Sequence, residues 1–575
     1  MRLRRALLLV AVAGAVVAVA TGASAAGQGT LDLTNVATAN PKVQGFSQPN
    51  ILSPQLQEVI WAQGSYKLDG GTAQVPYYGY DGNGPFIPTS FSGTNGLTAT
   101  EAQKTEPDKN TYLVLNGLHG ADSSYDYGTH FLYQGHEATA SGVGAAITRI
   151  NLDADGAHRV TLLATQTQAK VNLHAIDGST WDPWAKQLLF TTESKDTGGA
   201  NPQPTPSVYQ ATPDYPSQVD DISNVIGRGG FEGIQNDNKG NLYIVEDIGG
   251  STGTGPNANT KQPNSFVYRF LPTDPSDLKQ GGKLQALQVI VNGSPLKFTA
   301  GNPDADINSP GYLALHNYNS VWPTRWITIA STISSAPFPG ADDNALAKAA
   351  GATPFKRPEN GVFRPGSKFT EFWFDETGDT DNRTCAGGVS ALPACTSPKV
   401  SGGFGSVFRL TQSPKSDSGQ ISVFYNGDQA HAGFDNVTFF SRDQVAFVED
   451  AGDTLHMQRN ALDSAYMFDV TQDYSHGQQP IRFIAEGRDP SATLDSELSG
   501  TGNEGDNEIT GIHVSNGDPT TDGVLGAKVP KPFTGNGRWR AFWTQQHGDN
   551  PTYELIPAPS GGSGNDQNDQ GDDDN

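Results

Sequence analysis

The sequence predicts an all-β protein, a six-bladed β-propeller with long loop insertions, on three observations. Gly (67 residues) and Pro (37) are abundant, so few windows hold an unbroken run of strong helix formers. Aromatic residues make up 9% of the chain, too many for a disordered one. A pair of strand signals recurs six times at irregular spacing, as blades with variable loops require.

The first member of the pair is a β-rich run ending in acidic or polar residues. It occurs as Phe131-Leu132-Tyr133 to His136-Glu137, Leu188-Leu189-Phe190 to Thr192-Glu193, and Leu242-Tyr243-Ile244 to Glu246-Asp247. It returns as Phe372-Trp373-Phe374 to Asp375-Glu376, Val445-Ala446-Phe447 to Glu449-Asp450, and Ala541-Phe542-Trp543 to Gln546-His547. The second member follows each time as an alternating run, at 147–150, 208–211, 267–270, 407–410, 466–468 and 553–556. A stacked β-helix would repeat more regularly, and a two-sheet sandwich would not need the same pair six times. The stretches 279–346 and 488–506 interrupt the pattern and read as excursions from the propeller.

Acidic residues fall at fixed places in this repeat. Glu232 opens a strand whose return ends at Glu246, and Asp435 opens one whose return ends at Glu449, both 14 residues on. Asp177 to Glu193 and Glu359 to Glu376 follow the same plan. Innermost propeller strands surround one channel, so Glu232, Glu359, Asp435 and Glu508 are expected to converge at its mouth, with Glu137, Glu193 and Glu246 nearby. Carboxylates gathered in a partly dry site repel one another unless cations hold them, and an all-oxygen donor set suits hard ions, Ca²⁺ above all. His136, His513 and His547 carry weaker signals, each as readily a packing histidine as a ligand.

The chain carries 61 acidic and 37 basic residues, a net charge of −24, which excludes a nucleic-acid surface. Residues 1–25 read as a signal peptide: Arg2, Arg4 and Arg5 precede an apolar run to Ala20, with Ala23-Ser24-Ala25 for cleavage. Arg4-Arg5 fits a Sec or a twin-arginine leader. No later segment is apolar enough to span a bilayer, so a secreted, periplasmic or cell-surface protein is expected, with no membrane span once the leader is removed. The two cysteines, Cys385 and Cys395, lie in one loop and are expected to pair in an oxidising compartment. Residues 26–556 form the propeller domain, and 557–575, rich in Gly, Ser, Asn and Asp, read as a disordered acidic tail. A monomer is expected.

Ordered fragments along the chain resemble the PhoX-type alkaline phosphatases. They are Gly135-His136-Glu137, Ser179-Thr180-Trp181-Asp182-Pro183-Trp184 to Thr192-Glu193, Phe231-Glu232-Gly233 to Glu246-Asp247, and Arg357-Pro358-Glu359. Phe434-Asp435-Asn436-Val437, Glu508-Ile509-Thr510-Gly511 and Gln546-His547-Gly548 complete the series. The resemblance implies an exported six-bladed propeller with calcium and iron at the channel mouth, acting on a small phosphate ester. It implies that glutamates at Glu137, Glu232 and Glu359 hold metals, with Glu359 in the catalytic set, and that Arg357 contacts phosphate, seconded by Arg482 or Arg488. One departure stands out: the family's iron-ligand cysteine is replaced here by Thr192, so Ca²⁺ is expected at several sites and Fe³⁺ lacks its usual thiolate. Two other readings fit the same pattern: a non-catalytic calcium-stabilised propeller that binds a surface ligand or protein, and a calcium-dependent lactonase or esterase.

Overall fold

The structure, a computed structural model, describes residues 32–36, 49–79, 105–137, 144–193, 207–257, 260–307, 309–333, 342–379, 402–412, 416–459, 461–487, 508–534, 538–546 and 549–559. The leader, the cysteine pair, the 488–506 stretch, His547 and nearly all of the tail lie outside the described residues.

Short strands follow one another as antiparallel meanders. After β1 (Ile51–Leu52) and β2 (Leu56–Ala62), the first meander is β3 (Pro107–Val114), β4 (His130–His136), β5 (Ala146–Asn151) and β6 (Val160–Ala164). The second is β7 (Ile176–Asp182), β8 (Gln187–Thr192), β9 (Val208–Ala211) and β10 (Val219–Asp221). The third is β11 (Phe231–Asn236), β12 (Leu242–Glu246), β13 (Val267–Pro272) and β14 (Gly281–Val291), followed by the short β15 (Ser294–Pro295) and the long β16 (Trp322–Ile333). The fourth is β17 (Gly361–Phe363), β18 (Glu371–Glu376), β19 (Ser406–Gln412) and β20 (Ser418–Asn426). The fifth is β21 (Phe434–Phe439), β22 (Gln444–Glu449), β23 (Ser464–Asp469) and β24 (Ile481–Ala485), with β1 on its outer edge. The last is β25 (Glu508–Ser515), β26 (Arg540–Gln546) and β27 (Thr552–Pro557). Both members of the predicted strand pair are the second and third strands of every meander.

The arrangement is all-β and propeller-like. Four sheets stand separate, but the third and fourth meanders run into one ten-stranded sheet rather than forming two free blades. The cause is β16, which lies in the stretch expected to be an excursion. It pairs along β14, from Gly281↔Ile333 to Val289↔Thr324, and its first residues pair with β20. Two outer edges that would otherwise offer unpaired backbone groups are thereby joined. The last sheet is completed by β2, paired from Leu56↔Pro557 to Ala62↔Thr552, so the beginning of the chain supplies the outer strand of its final unit.

The innermost strands form a ring: β3, β7, β11, β17, β21 and β25 each pack on the next, and β25 packs on β3. Apolar layers fill the wedges between neighbouring meanders, because both faces of each sheet are covered. Tyr112 and Leu132 of the first pack with Phe542 of the last. Val362 and Trp373 of the fourth pack with Val437, Phe439 and Phe447 of the fifth. The polar residues left over at the strand ends line one end of the ring.

Candidate metal centre

Two features of the strands build the site. First, five of the six innermost strands carry the same irregularity, two residues on the inner strand opposing one on its partner, within 107–110, 176–179, 231–234, 434–437 and 510–513. A bulge of this kind bends the strand and re-aims a side chain. The first of the two bulged residues is Asp108, Asp177, Glu232 and Asp435 in four of them, and Gly511 in the fifth. Second, successive side chains of a strand point to opposite faces, so at the end of each second strand one residue turns into the blade and the next faces the ring. The residues facing the ring are Glu137, Glu193, Asp247 and Asp450.

These two sets meet. Carboxylate oxygens of Asp108, Glu137 and Asp177 lie within 4.8 Å of one another, as do those of Asp177, Glu193 and Glu232, and those of Glu232, Asp247 and Glu359. Shared Asp177 and Glu232 link the three groups into one arc across four meanders. Asp108, Asp177, Glu232 and Glu359 are buried, and Glu137, Glu193 and Asp247 half-buried. Burial, reinforced by neighbouring carboxylates, pushes Glu137, Asp177, Glu232 and Glu359 well above the usual carboxylate range. Asp177 Oδ1 and Glu232 Oε2 are buried without a hydrogen-bond partner among the described residues.

The neighbours hold the arc in place. Thr510 Oγ1 donates to Asp108, Thr377 Oγ1 to Glu359, and Gln546 Nε2 to Glu137 Oε1 at 2.8 Å. Arg357 grips Asp247 from Nε at 2.8 and 2.9 Å and from Nη2 at 2.7 Å, and stands 3.4 Å from Glu359. Burial would lower its pKa, but Asp247 and Glu359 outweigh that and fix the guanidinium as a cation. Lys109, buried beside Asp108, donates to Asn360 Oδ1. Asp435 and Glu508 face the same space from the far side: the pKa of each is raised first by burial, then by Asp108 for Asp435 and by Asp450 for Glu508.

Of the residues singled out from sequence, Glu137, Glu193, Glu232 and Glu359 come together in the arc, and Asp435 and Glu508 face it. Two do not join it. Glu246 was grouped with the mouth, but it occupies the inward-turning position of β12: its Oε2 accepts from Phe266 N, the Tyr268 hydroxyl and Asn344 Nδ2, and the ring-facing residue is its neighbour Asp247. Arg482 was a candidate for phosphate, but it sits on β24 toward the sheet edge, its guanidinium donating to Val36 O and the Tyr466 hydroxyl. Arg488 lies outside the described residues. His136 and His513 are buried, burial pushing both down to about 3, helped at His513 by the charge of Lys109, so both imidazoles are neutral. Thr192 ends β8 fully buried. Asp108, Asp247 and Lys109 were missed, and Asp177, marked by its interval to Glu193, was left out of the set expected at the mouth. Strand alternation could have found Asp247, while a bulge leaves no mark in one sequence.

The donors of all three groups are oxygens, a set that fits hard cations and supplies no thiolate for iron. Among solved structures, Pseudomonas fluorescens PhoX in complex with vanadate, a transition state analogue, matches with a TM-score of 0.51 at 10% identity, covering 91% of this chain and 98% of that one. A calcium structure of Trichoderma reesei Carbohydrate-Active Enzymes Family AA12 matches more loosely, with a TM-score of 0.29 at 10% identity over 90% of this chain and 99% of that one. No protein of curated function matches by sequence. The family model for alkaline phosphatase PhoX matches residues 224–520, more than half of the chain, and the protein belongs to the PhoX family.

Proposed function

We propose that this protein is an exported, metal-dependent phosphatase that hydrolyses small phosphomonoesters at the ring mouth, in a propeller of six blades of which the third and fourth are joined by β16. Phosphatase chemistry comes with the family. The observation that carries the placement is the linked arc of carboxylates with buried, unpartnered oxygens at Asp177 and Glu232. Like charges packed this closely repel unless protons or cations neutralise them, and with the set ionised that role falls to cations.

Glu137, Glu193, Glu232 and Glu359, with Asp108, Asp177 and Asp247, hold the cations, and Asp435 and Glu508 close the far side. Ca²⁺ is the best fit to this donor set, several ions in number. Bound there, such ions supply Lewis-acid stabilisation of phosphoryl oxygens. Arg357 orients the phosphoryl group: Asp247 and Glu359 fix its guanidinium, which remains about one-fifth exposed at the mouth, and a fork of N–H groups suits phosphate. Glu359, in contact with both Arg357 and the arc, couples substrate binding to the cations.

The test is hydrolysis of an aryl phosphate, a bis-aryl phosphate and a lactone by protein stripped with chelator and reloaded with Ca²⁺, Fe³⁺ or both. Monoester turnover restored by Ca²⁺ and lost in Glu359→Gln supports the proposal. Lactone turnover without phosphate turnover, or a chelator-sensitive melting temperature with no turnover of any ester, would replace it with the esterase or the non-catalytic reading.

A further inference from the structure

Lys109 stands where the bulges of the other inner strands carry Gly178, Gly233, Asn436 and Ile512. It is buried, directly after Asp108, and Ser179 Oγ donates to its carbonyl at 3.2 Å. Its Nζ donates to Asn360 Oδ1, and Asn360 directly follows Glu359. The two ends of the carboxylate arc, Asp108 and Glu359, are therefore each one residue away from this hydrogen bond, which joins β3 to the residue before β17. In the ring order β3, β7, β11, β17, β21, β25 these strands are opposite one another, so the lysine side chain spans the ring. Gly233 makes room at the far end: a β-carbon there would meet Asn360 Oδ1 at 2.7 Å, and its N–H donates to Glu359 O at 2.7 Å.

The surroundings of the ammonium group are anionic. Burial lowers the pKa of Lys109, and Asp435, Asp108, Asp375 and Asp177 oppose this, in that order. Asp375 is fully buried at the end of β18: its Oδ1 accepts from Asn360 N at 2.8 Å, while its Oδ2 has no hydrogen-bond partner among the described residues. The charge of Lys109 is also felt by His513, which lies further along β25 than Glu508 and so away from the mouth. The lysine thus closes the ring on the inner side of the arc.

We propose that Lys109 is a positioning residue of the metal centre: its ammonium group takes the place of one further cation below the arc and so confines the bound ions to the mouth. The inference rests on the reading that the arc holds cations. Buried carboxylates need positive charge close by, and a lysine supplies it through one fixed side chain, where Ca²⁺ would need six to eight oxygens. The same charge repels a metal ion from this inner layer, so Asp108 and Asp177 serve the ions on the mouth side. Without it, Asp375 Oδ2, Asn360 Oδ1 and the carboxylates of Asp108, Asp177 and Asp435 are left as an oxygen set that suits a hard cation.

The test is metal analysis after dialysis against Ca²⁺, with melting in Ca²⁺ and in chelator, on the native chain, Lys109→Met and Lys109→Gln. Both variants keep a long side chain and lose the charge. Each is expected to bind one more Ca²⁺ per chain than the native protein and to show a wider gap between its two melting temperatures. A lysine that only filled space would lose stability without gaining an ion, so folded variants that bind the native number or fewer would overturn the inference. Asp375→Asn keeps the lysine and serves should neither variant fold: it is expected to leave the number of bound ions unchanged, and an ion lost there would overturn the inference too. A native chain that binds no Ca²⁺ would instead overturn the metal centre on which the inference rests.

Discussion

Glu246 and Asp247 are adjacent in sequence and opposite in role. The carboxylate of Asp247 faces the ring and holds Arg357 through three short contacts, whereas that of Glu246 is enclosed between β12 and the helix Asp343–Ala350. Charge-assisted hydrogen bonds of this kind contribute roughly 1.5–3 kcal/mol each. Asp247→Asn should therefore lower kcat/KM for a phosphomonoester by about ten- to a hundredfold, by releasing Arg357 and weakening the adjacent cation; steady-state kinetics at saturating Ca²⁺ check this. The carboxylates of the arc also set a pH dependence. Their native pKa values are raised by burial, so the metal-free fold binds more protons than the unfolded chain. In chelator, the stability they allow is fully present below the unfolded carboxylate pKa and is lost as pH rises through the raised native values. Cations reverse this, so the gap between melting temperatures with Ca²⁺ and with chelator should widen from about pH 5 to pH 8. A gap that narrows over that range would show that the arc does not hold the ions.

The bulged inner strand is the element on which the site depends. Gly178 follows Asp177 inside one bulge, where a β-carbon would come within 2.2 Å of Glu232 O and 2.5 Å of Thr191 Oγ1. Backbone cannot yield there without moving Glu232 away from Asp177, the two residues that link the groups of the arc. Gly178→Ala should cost about 1–3 kcal/mol of stability and reduce the Ca²⁺ bound, measured by chemical denaturation and metal analysis. At this scale the sequence was largely legible. All twelve predicted strand runs are strands, because alternating β-branched and aromatic residues bounded by turn formers leave little other choice. The Lys279–Leu346 stretch was not: β14 and β16 carry Lys, Gln, Arg and Thr among their apolar residues, and their membership in the sheet rests on pairing with distant strands.

The whole molecule is held closed by contacts between its ends. Strand β2 is the outer strand of the last sheet, and Trp61 Nε1 donates to Glu554 Oε2 at 2.8 Å, the same carboxylate that Arg540 grips. Removing residues up to 62 should expose β27 as an open edge, lower the melting temperature and promote self-association, read by calorimetry and size-exclusion chromatography. A variant that stays monomeric with an unchanged melting temperature would show that the ring closes without this strand.

The sequence by itself determined the strands, the meander repeat and the family, because these follow from local alternation, turn residues and ordered motifs. It also singled out Glu137, Glu193, Glu232 and Glu359 of the arc, though not Asp108. Tertiary structure decided where the innermost strands aim Asp108, Asp177, Glu232 and Asp435, since a bulge shifts the alternation without changing composition. It decided that β16 joins two meanders and that β2 closes the last, since strand pairing between distant segments depends on where their edges meet in space. The same packing separated Glu246 from the mouth and set it against the helix Asp343–Ala350, nearly a hundred residues away, where Asn344 donates to its carboxylate: contacts between such distant segments depend on how the sheets stack, not on the local sequence.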